Sequence, residues 1–485
     1  MNFATSGRTL TLTAGNQIST ASTGGITTNN GAISLTATNG ININHAFTFN
    51  SGSAATTLTT TNSPININAA VNLNSATTLS AGTGTITTAA TITNTGSLTL
   101  KSDNMTIGGA LAGNGTLYIA PGTNNRTLNF GTATGALDWN TTEISQIGAN
   151  KQIYLGLWGT TTGNVDIGGF NLNNQMAIYN MGNVTVSAAV NLMGKSLDIG
   201  IGSGDIDINA PLTSAGGNLT IRSGAWGNSI ALAGGTGNVT LTAAQLDNIT
   251  DGWNNITFGN GGQAITLGTY SNWRDPVNFN SGSNSGATIT VNGIQSTAAG
   301  SNTNFTFTGP TTFNADVSTI NSSASVGIGT ITLANYAHTL AANLLTRNAN
   351  ITTNGAITVT GTRRIAAGDA NYSSASALLT INNTISGSGT IVLLGNDIDI
   401  NADITTDGIQ LRPTLNTGVM GVAGGTGTTQ ITTAELDRLK ATNSLRIVGS
   451  SIVFWGVTTN FGADTWNQAP ASHIVIRSET AVNLT

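Results

Sequence analysis

The sequence predicts an all-β fold in which short strands stack as the coils of a parallel β-solenoid. Apolar and polar residues alternate through most of the chain, turns that contain glycine separate the alternating runs, and this pattern continues over 485 residues. Sandwiches and closed barrels end after about 100 to 250 residues, whereas stacked coils can continue. We therefore expect residues 1–485 to form one continuous solenoid and to be a segment of a longer protein.

The alternating runs assign one face of each strand to the interior. Residues 9–13, 65–68 and 287–291 are typical, with Leu, Ile or Val at every second position and mostly Thr, Ser or Asn between them. Because successive side chains on a strand point to opposite faces, the apolar set faces the core and the polar set faces water. Thr, Asn and Ser also suit stacked positions, where like side chains form hydrogen-bonded ladders.

Composition excludes several classes of function. Charged residues make up 7% of the chain, where soluble domains carry roughly 25%. The net charge is −5 and the 15 Lys and Arg are scattered, so the basic footprint of a nucleic-acid-binding protein is missing. The absence of Cys excludes disulfides and thiolate metal sites. We expect neither a nucleic-acid partner nor a cofactor.

Related segments recur around residues 116–160, 218–268 and 409–456, and each carries one signal for a short helix. In these segments an N-cap residue is followed three positions later by Glu or Gln, which is the spacing of a capping box. The three pairs are Asn140 with Glu143, Thr242 with Gln245, and Thr432 with Glu435. We interpret them as single helical turns that interrupt the strands. A knob that contacts a partner is the alternative.

The third segment carries a specific resemblance. Thr-x-Ala-Glu-Leu-Asp-Arg-Leu at residues 432–439, followed by Ser-Leu-Arg-Ile at 444–447, resembles filamentous haemagglutinin-type exoproteins, which are large secreted bacterial surface proteins with β-strand repeats. The motif and its relatives cover residues 137–159, 239–259 and 429–449. The resemblance implies a right-handed parallel β-helix, export through an outer-membrane transporter, and a role in adhesion or biofilms. It also implies a secreted or cell-surface location, although residues 1–8 show no signal-peptide pattern.

Two Asp-x-Asp pairs are the candidates for chemistry. Asp205 with Asp207, and Asp397 with Asp399, each place two carboxylates on one face of a strand. Solvated strand positions are our first interpretation, because Ile separates the acids and Ala replaces the turn glycine of a calcium loop. A weak cation site and a catalytic pair remain the alternatives, and the sequence itself indicates no metal or catalytic residue.

Aromatic residues and histidines are further candidates for contact or ligand groups. Trp226, Trp253 and Trp273 belong to a cluster of five tryptophans within residues 139–273, which either pack around the helical turns or form an exposed strip that contacts glycans or a partner. The histidines, His45, His338 and His473, are far apart in sequence, so we expect them at the surface or in loops.

The sequence therefore predicts an extracellular or cell-surface structural rod of a bacterial adhesin that mediates attachment or matrix contact without catalysis. Its expected partners are host or environmental surfaces, glycans and similar molecules. One alternative is a self-assembling filament, sheath or surface-layer protein, because ordinary strands at both ends permit head-to-tail association. The other is a β-helix that binds or degrades polysaccharides.

Overall fold

The computed structural model describes residues 1–3, 5–131, 137–157, 159, 162–224, 228–282, 286–298, 301, 303–319, 329–347, 349–368, 377–414, 417–454 and 473–484. The chain divides into two compact units. Unit 1 comprises Met1–Ala225 and Ala244–Asn254, and unit 2 comprises Trp226–Ala243 and Asn255–Thr485. Helix α2, Ala243–Asp247, begins at the last residue of one segment of unit 2 and continues in unit 1.

Unit 1 consists of short strands and helix α1, Thr141–Ser145. Its strands are β1 (Leu10–Ala14), β2 (Gln17–Ser19), β3 (Gly24–Thr27), β4 (Ile33–Ala37), β5 (Gly40–Ile43), β6 (Phe47–Asn50), β7 (Thr56–Thr60), β8 (Ile65–Ile67), β9 (Val71–Leu73), β10 (Thr77–Thr88), β11 (Ile92–Asn94), β12 (Leu98–Ile107), β13 (Leu111–Ala112), β14 (Leu117–Ala120), β15 (Leu128–Gly131), β16 (Leu137–Trp139), β17 (Gln152–Leu155), β18 (Val165–Gly168), β19 (Phe170–Asn171), β20 (Gln175–Asn180), β21 (Val184–Val186), β22 (Val190–Asn191), β23 (Leu197–Ile201), β24 (Ile206–Ile208), β25 (Leu212–Thr213) and β26 (Asn218–Ser223).

Unit 2 has the same construction and contains helix α3, Thr433–Leu436. Its strands are β27 (Ile230–Leu232), β28 (Val239–Leu241), β29 (Asn255–Phe258), β30 (Ile265–Leu267), β31 (Tyr270–Trp273), β32 (Val277–Asn280), β33 (Ile289–Val291), β34 (Gln295–Thr297), β35 (Phe305–Thr308), β36 (Thr311–Phe313), β37 (Val317–Ser318), β38 (Ile331–Leu333), β39 (His338–Leu340), β40 (Leu344–Thr346), β41 (Ile351–Thr353), β42 (Ile357–Thr360), β43 (Arg363–Ala367), β44 (Leu378–Ile381), β45 (Ile385–Gly395), β46 (Asp397–Ile400), β47 (Ile404–Pro413), β48 (Val419–Val422), β49 (Thr429–Ile431), β50 (Leu439–Phe454) and β51 (His473–Leu484).

The strands of each unit pair in parallel, one coil with the next. In unit 1 the ladder runs from β1 through β4, β7, β10, β12 and β14, and in unit 2 from β29 through β32, β35, β38, β41 and β44. Parallel neighbours need a connection that returns the chain to the same end of the sheet, and here the rest of each coil supplies it. The predicted all-β parallel solenoid is confirmed. Continuity of one solenoid through residues 1–485 stays a prediction.

Residues in register form columns of like side chains inside each unit. In unit 1 the buried column Leu35, Leu58, Leu79, Leu100 and Ile119 climbs through successive coils. In unit 2 the rings of Phe258 and Phe279 stack with centroids 6.1 Å apart, and Phe307 follows at 5.3 Å from Phe279. Each coil therefore buries its apolar alternate residues against those of the next coil, which is the main favourable contribution to folding.

Polar ladders accompany the apolar columns on the outer faces. In unit 1 the amide of Asn66 donates to Asn42 Oδ1 at 2.7 Å. In unit 2 Asn382 donates to Asn354 at 2.9 Å, and Asn401 donates to Asn382 at 3.0 Å. An amide carries both a donor and an acceptor, so a column of Asn can bond coil to coil without unpaired groups.

Lys151 is a fully buried basic residue of unit 1. Its side chain is 0% exposed, and Nζ donates to Asn94 Oδ1 at 2.8 Å and to the carbonyl of Gly115 at 3.2 Å. The side-chain amide of Asn174 donates to the carbonyl of Lys151 from the following coil, at 3.1 Å. Burial lowers the pKa of Lys151 from 10.5 to about 8, because the charged ammonium loses its hydration.

The free energy of unfolding of the wild type should rise with pH in the alkaline range, and we expect Lys151→Met to remove this rise. Between pH 8 and 10.5 the unfolded chain still holds a proton on Lys151 that the folded chain has released. The free energy of unfolding of the wild type should therefore increase across this window, by up to about 3 kcal/mol. Urea unfolding at pH 7 and pH 10 measures the difference. Lys101→Met on the outer face is the control, and an equal pH response in all three proteins would contradict the assignment.

Candidate functional site

Helices α1 and α3 each follow an extra strand that pairs in parallel with the strand before it in the same sheet. In unit 1, β15 pairs on one side with β18 and on the other with β16, which precedes α1 by one residue. In unit 2, β48 pairs with β49 in the same way before α3. The chain thus adds an extra strand to the coil, and the helical turn then returns it to the next strand. The predicted helical interruptions are confirmed.

The predicted capping boxes are present at α1 and α3. In α1, Asn140 Oδ1 accepts from the backbone N–H of Glu143 at 3.1 Å, and Glu143 Oε2 accepts from that of Asn140 at 2.9 Å. In α3, Thr432 Oγ1 accepts from the N–H of Glu435 at 3.3 Å, and Glu435 Oε2 accepts from that of Thr432 at 2.8 Å. At α2 the amide of Gln245 donates to Asp207 Oδ1 at 2.9 Å, and the box of Thr242 with Gln245 stays a prediction.

Both glutamates have a second role that sequence reasoning missed. Glu143 is 7% exposed and its Oε1 accepts from the N–H of Ile107, the last residue of β12, at 3.0 Å. Glu435 is 8% exposed and its Oε1 accepts from the N–H of Ile400, the last residue of β46, at 2.9 Å. Each carboxylate therefore joins a helix start to the end of a strand. With both oxygens bonded to backbone amides, these acids act as structural braces.

Asp207, Asp397 and Asp399 lie on strands, Asp205 immediately precedes β24, and all four carboxylates accept hydrogen bonds within the protein. Asp205 Oδ1 accepts from the N–H of Ile206 at 2.8 Å, and Asp397 Oδ1 accepts from that of Ile398 at 3.0 Å. Asp207 accepts from Gln245, as described above, and Asp399 Oδ2 accepts from the amide of Asn401 at 3.0 Å. Within the described ranges, no three His, Asp or Glu side chains converge as metal ligands.

The structure places two of the three tryptophan candidates inside the coils. Trp253 is 2% exposed and Trp273 is 3% exposed, so the alternative of an exposed aromatic strip does not hold for them. Trp273 packs among aromatic rings of unit 2, and its Nε1 donates to Gln295 Oε1 at 3.1 Å. Burial of such large apolar rings outweighs any gain from displaying them to water. Trp226 lies outside the described residues.

His338 also departs from expectation. It stands in β39 between Thr311 and Ile357 of neighbouring coils and is 2% exposed, so its predicted surface position is wrong. Its Nε2 lies 2.9 Å from the carbonyl oxygen of Ala334, which makes Nε2–H the donor. Burial lowers the pKa of His338, although this hydrogen bond acts in the opposite direction. The residue serves packing within unit 2.

An outer face of unit 1 carries a row of three aromatic side chains, Tyr118, Tyr154 and Tyr179. We call these tyrosines, together with the adjacent Asp198 and Arg222, the tyrosine strip. Tyr118 pairs in register with Tyr154, and their rings stack with centroids 4.7 Å apart and planes 13° apart. The ring of Tyr179 follows at 5.4 Å from that of Tyr154. All three tyrosines are half-buried. The strip therefore exposes ring edges and hydroxyl groups across three coils.

Two charged residues, Asp198 and Arg222, lie beside Tyr179 at one end of the tyrosine strip. Arg222 Nε and NH2 donate to the two oxygens of Asp198, both at 2.9 Å, and the guanidinium lies 5.0 Å from the ring centroid of Tyr179. Tyr179 Oη donates to Asp198 Oδ2 at 2.9 Å. Burial raises the pKa values of Tyr154 and Tyr179, so both phenols keep their protons, and that of Tyr179 is the one donated to Asp198. The Asp198–Arg222 pair leaves the strip without net charge.

A second feature of unit 1 is a cleft beside α1, which we call the α1 cleft. Its volume is about 690 Å³, within the range of small ligand sites. One wall is formed by Thr141, Ile144 and Ser145 of the helix, and the other includes Phe170, Asn171 and Met193. None of the residues that line it carries a charge. Met193 is 56% exposed, which is unusual for an apolar side chain of this protein.

Comparison with known proteins does not assign a function, so a functional proposal depends on the sites described above. No protein-family model matches the sequence, and neither curated proteins nor solved structures provide a significant match. In the parts of the chain that the structure describes, no helix has the length and apolar character needed to span a membrane.

We expect Glu143→Ala to destabilise unit 1 by about 2–4 kcal/mol, because the N–H groups of Ile107 and Asn140 both lose their acceptor. Glu143→Gln keeps one acceptor oxygen and should lose less. Thermal unfolding followed by circular dichroism measures the effect, with Thr142→Ala, a change of an exposed side chain in the same helix, as the control. A Glu143→Ala protein as stable as this control would contradict the brace.

Proposed function

We propose that this chain is a non-catalytic scaffold of a secreted or cell-surface bacterial adhesin, and that the tyrosine strip is a contact surface for glycans or a host or environmental surface. The observation that carries the proposal is the position of these rings. The outer column that contains Tyr118 and Tyr154 reads Thr57, Thr78 and Thr99 in the preceding coils. Tyr179 lies two residues beyond Ala177, which is the residue in register with Tyr154, and its ring follows that of Tyr154 at 5.4 Å.

Folding of these coils does not require the change from Thr to Tyr. Threonine suits an outer strand position, and the preceding coils of this sheet form with it. Tyrosine at the same position adds a large apolar ring with a hydroxyl group, the combination that is enriched where proteins meet other molecules. Three such rings on stacked coils present a contact surface at low entropic cost, since the solenoid already holds their backbone in place.

The charge of the strip supports an uncharged partner. Asp198 and Arg222 neutralise each other, and the protonated phenols donate hydrogen bonds without carrying charge. Sugar hydroxyls accept such bonds, and the C–H groups of a sugar ring can make van der Waals contact with the apolar ring edges. The Asp205, Asp207, Asp397 and Asp399 carboxylates each accept a bond from a neighbouring amide, which favours a binding role over acid–base chemistry on polysaccharides.

We expect the triple variant Tyr118→Thr, Tyr154→Thr and Tyr179→Thr to keep its strand content and to bind at least tenfold more weakly to the surfaces that the wild type recognises. The physical reason is loss of the area of three rings and of the hydroxyl donors of Tyr118 and Tyr154, since the hydroxyl of Tyr179 already donates to Asp198. Binding is measured on arrays of immobilised neutral and acidic glycans and of extracellular-matrix proteins.

The matched control is Thr57→Ala, Thr78→Ala and Thr99→Ala, which alters the same outer column in the three coils that precede Tyr118 and should leave binding unchanged. Equal binding by the tyrosine variant and the wild type would refute the role of the strip. Release of reducing sugars from any bound polysaccharide would refute the non-catalytic assignment and favour the enzyme.

A further inference from the structure

One sheet of unit 1 is interrupted at α1. Strands β3, β6, β9, β11 and β13 form a continuous parallel ladder, and β19, β22 and β25 form another. Between them Ile147 makes a single parallel bridge with Leu111 of β13. The N–H of Leu111 donates to the carbonyl of Gln146, and the N–H of Gly148 donates to that of Leu111, at 2.8 and 3.0 Å. Residues 146–148 therefore provide backbone hydrogen-bond partners for Leu111 of β13.

The ladder does not continue from Ile147 to β19. Ile147 follows the helix, where its N–H donates to the carbonyl of Ile144 at 3.0 Å, and the chain then turns away through Asn150, whose φ is +63°. The N–H of Asn150 reaches the carbonyl of Asn173, at 3.2 Å. Strand β19 is left at the end of its sheet, with β22 as its strand partner.

The free edge of β19 faces the α1 cleft. The N–H of Leu172 donates to the carbonyl of Asn191 in the coil of β22, at 2.8 Å. Because successive N–H groups of a strand point to opposite sides, the N–H of Asn171 points away from β22 and toward Ile147. Residues 169–174 line the cleft, so its length follows the strand. An unpaired strand edge is a template for another extended chain.

We propose that the α1 cleft binds an extended, uncharged peptide segment of a partner protein, which adds as a strand to the free edge of β19. The backbone of such a segment supplies an acceptor for the N–H of Asn171. Its alternate apolar side chains contact Ile144 and Met193, and the other set faces solvent beside Thr141 and Ser145. Strand addition of this kind combines backbone hydrogen bonds with pockets for every second side chain.

The cleft favours this occupant on two grounds. The lining carries no charge, so a charged segment would lose hydration without gaining an opposite charge. The N–H of Asn171 lies on a strand edge, and a peptide presents backbone acceptors at the strand spacing. A neutral oligosaccharide matches the absence of charge but not this spacing.

The probe is the acetylated and amidated peptide Ala-Val-Asn-Leu-Asn-Ser, the sequence of residues 70–75 around β9, carrying a fluorescent label. In the protein this segment pairs in parallel with β6 and β11 of the interrupted sheet, so it has the side-chain pattern that the sheet accepts. Fluorescence anisotropy measures binding to the whole chain. Two further peptides carry an N-methyl group at the position of Asn72 or at that of Leu73, and neither needs a protein variant.

We expect the parent peptide to bind and one of the two N-methyl peptides to bind at least tenfold more weakly, since only one of two successive N–H groups faces β19. Asn171→Pro removes the backbone N–H on the unpaired side and should weaken binding at least tenfold, because an edge strand tolerates proline there. Asn171→Ala keeps this N–H and should bind within threefold of the wild type.

Several results would overturn the proposal. Unchanged binding by Asn171→Pro would show that the peptide occupies another edge. Equal losses in Asn171→Pro and Asn171→Ala would show that the Asn171 side chain, and not its N–H, contacts the peptide. Displacement of the peptide by maltohexaose or xylohexaose would make the cleft a saccharide site. The triple tyrosine variant should bind the peptide normally, so failure at the cleft and failure of the tyrosine strip are distinguishable.

Discussion

Parallel, in-register pairing of each coil with the next is the constraint on which the other features depend. Because the N–H and C=O groups of a strand have partners only in the adjacent coils, each residue must stand in line with one a coil away. Like side chains then meet in columns, apolar inside and polar outside. The Leu and Phe columns of the two units, and the Asn ladders of their outer faces, are two consequences of that single rule.

Interruptions of the ladder expose backbone groups, and the fold satisfies them with buried acids. A helical turn leaves its first N–H groups without intrahelical partners, and a strand that ends beneath it leaves one more. Glu143 and Glu435 accept from both kinds of donor at once. Charge-assisted bonds of this type are stronger than neutral ones, which makes a buried carboxylate stable in a chain otherwise poor in charge.

Alternation in the sequence predicts which face a residue occupies, but not which residue lies above it. Tyr118 and Tyr154 both stand between two large apolar residues, so their outward direction was readable. Their stacking was not, because α1 and an extra strand separate them and change the length of that coil. His338 shares a face with Leu340, so the same rule indicated its burial. Trp253 and Trp273 lie near turns, where alternation fails and ring size decides.

Both candidate surfaces of unit 1 arise from the same irregular coil between β14 and β17. Its end brings Tyr154 over Tyr118, which starts the tyrosine strip, and its helix diverts the chain from β19, which opens the α1 cleft. A regular coil would have continued the strand pairing on both faces, and neither the tyrosine strip nor the α1 cleft would have formed. In a fold where stacking repeats one surface, the coil that departs from the repeat is where a distinct contact can form. In unit 1 helix α1 therefore lies in the coil from which both proposed contact surfaces arise.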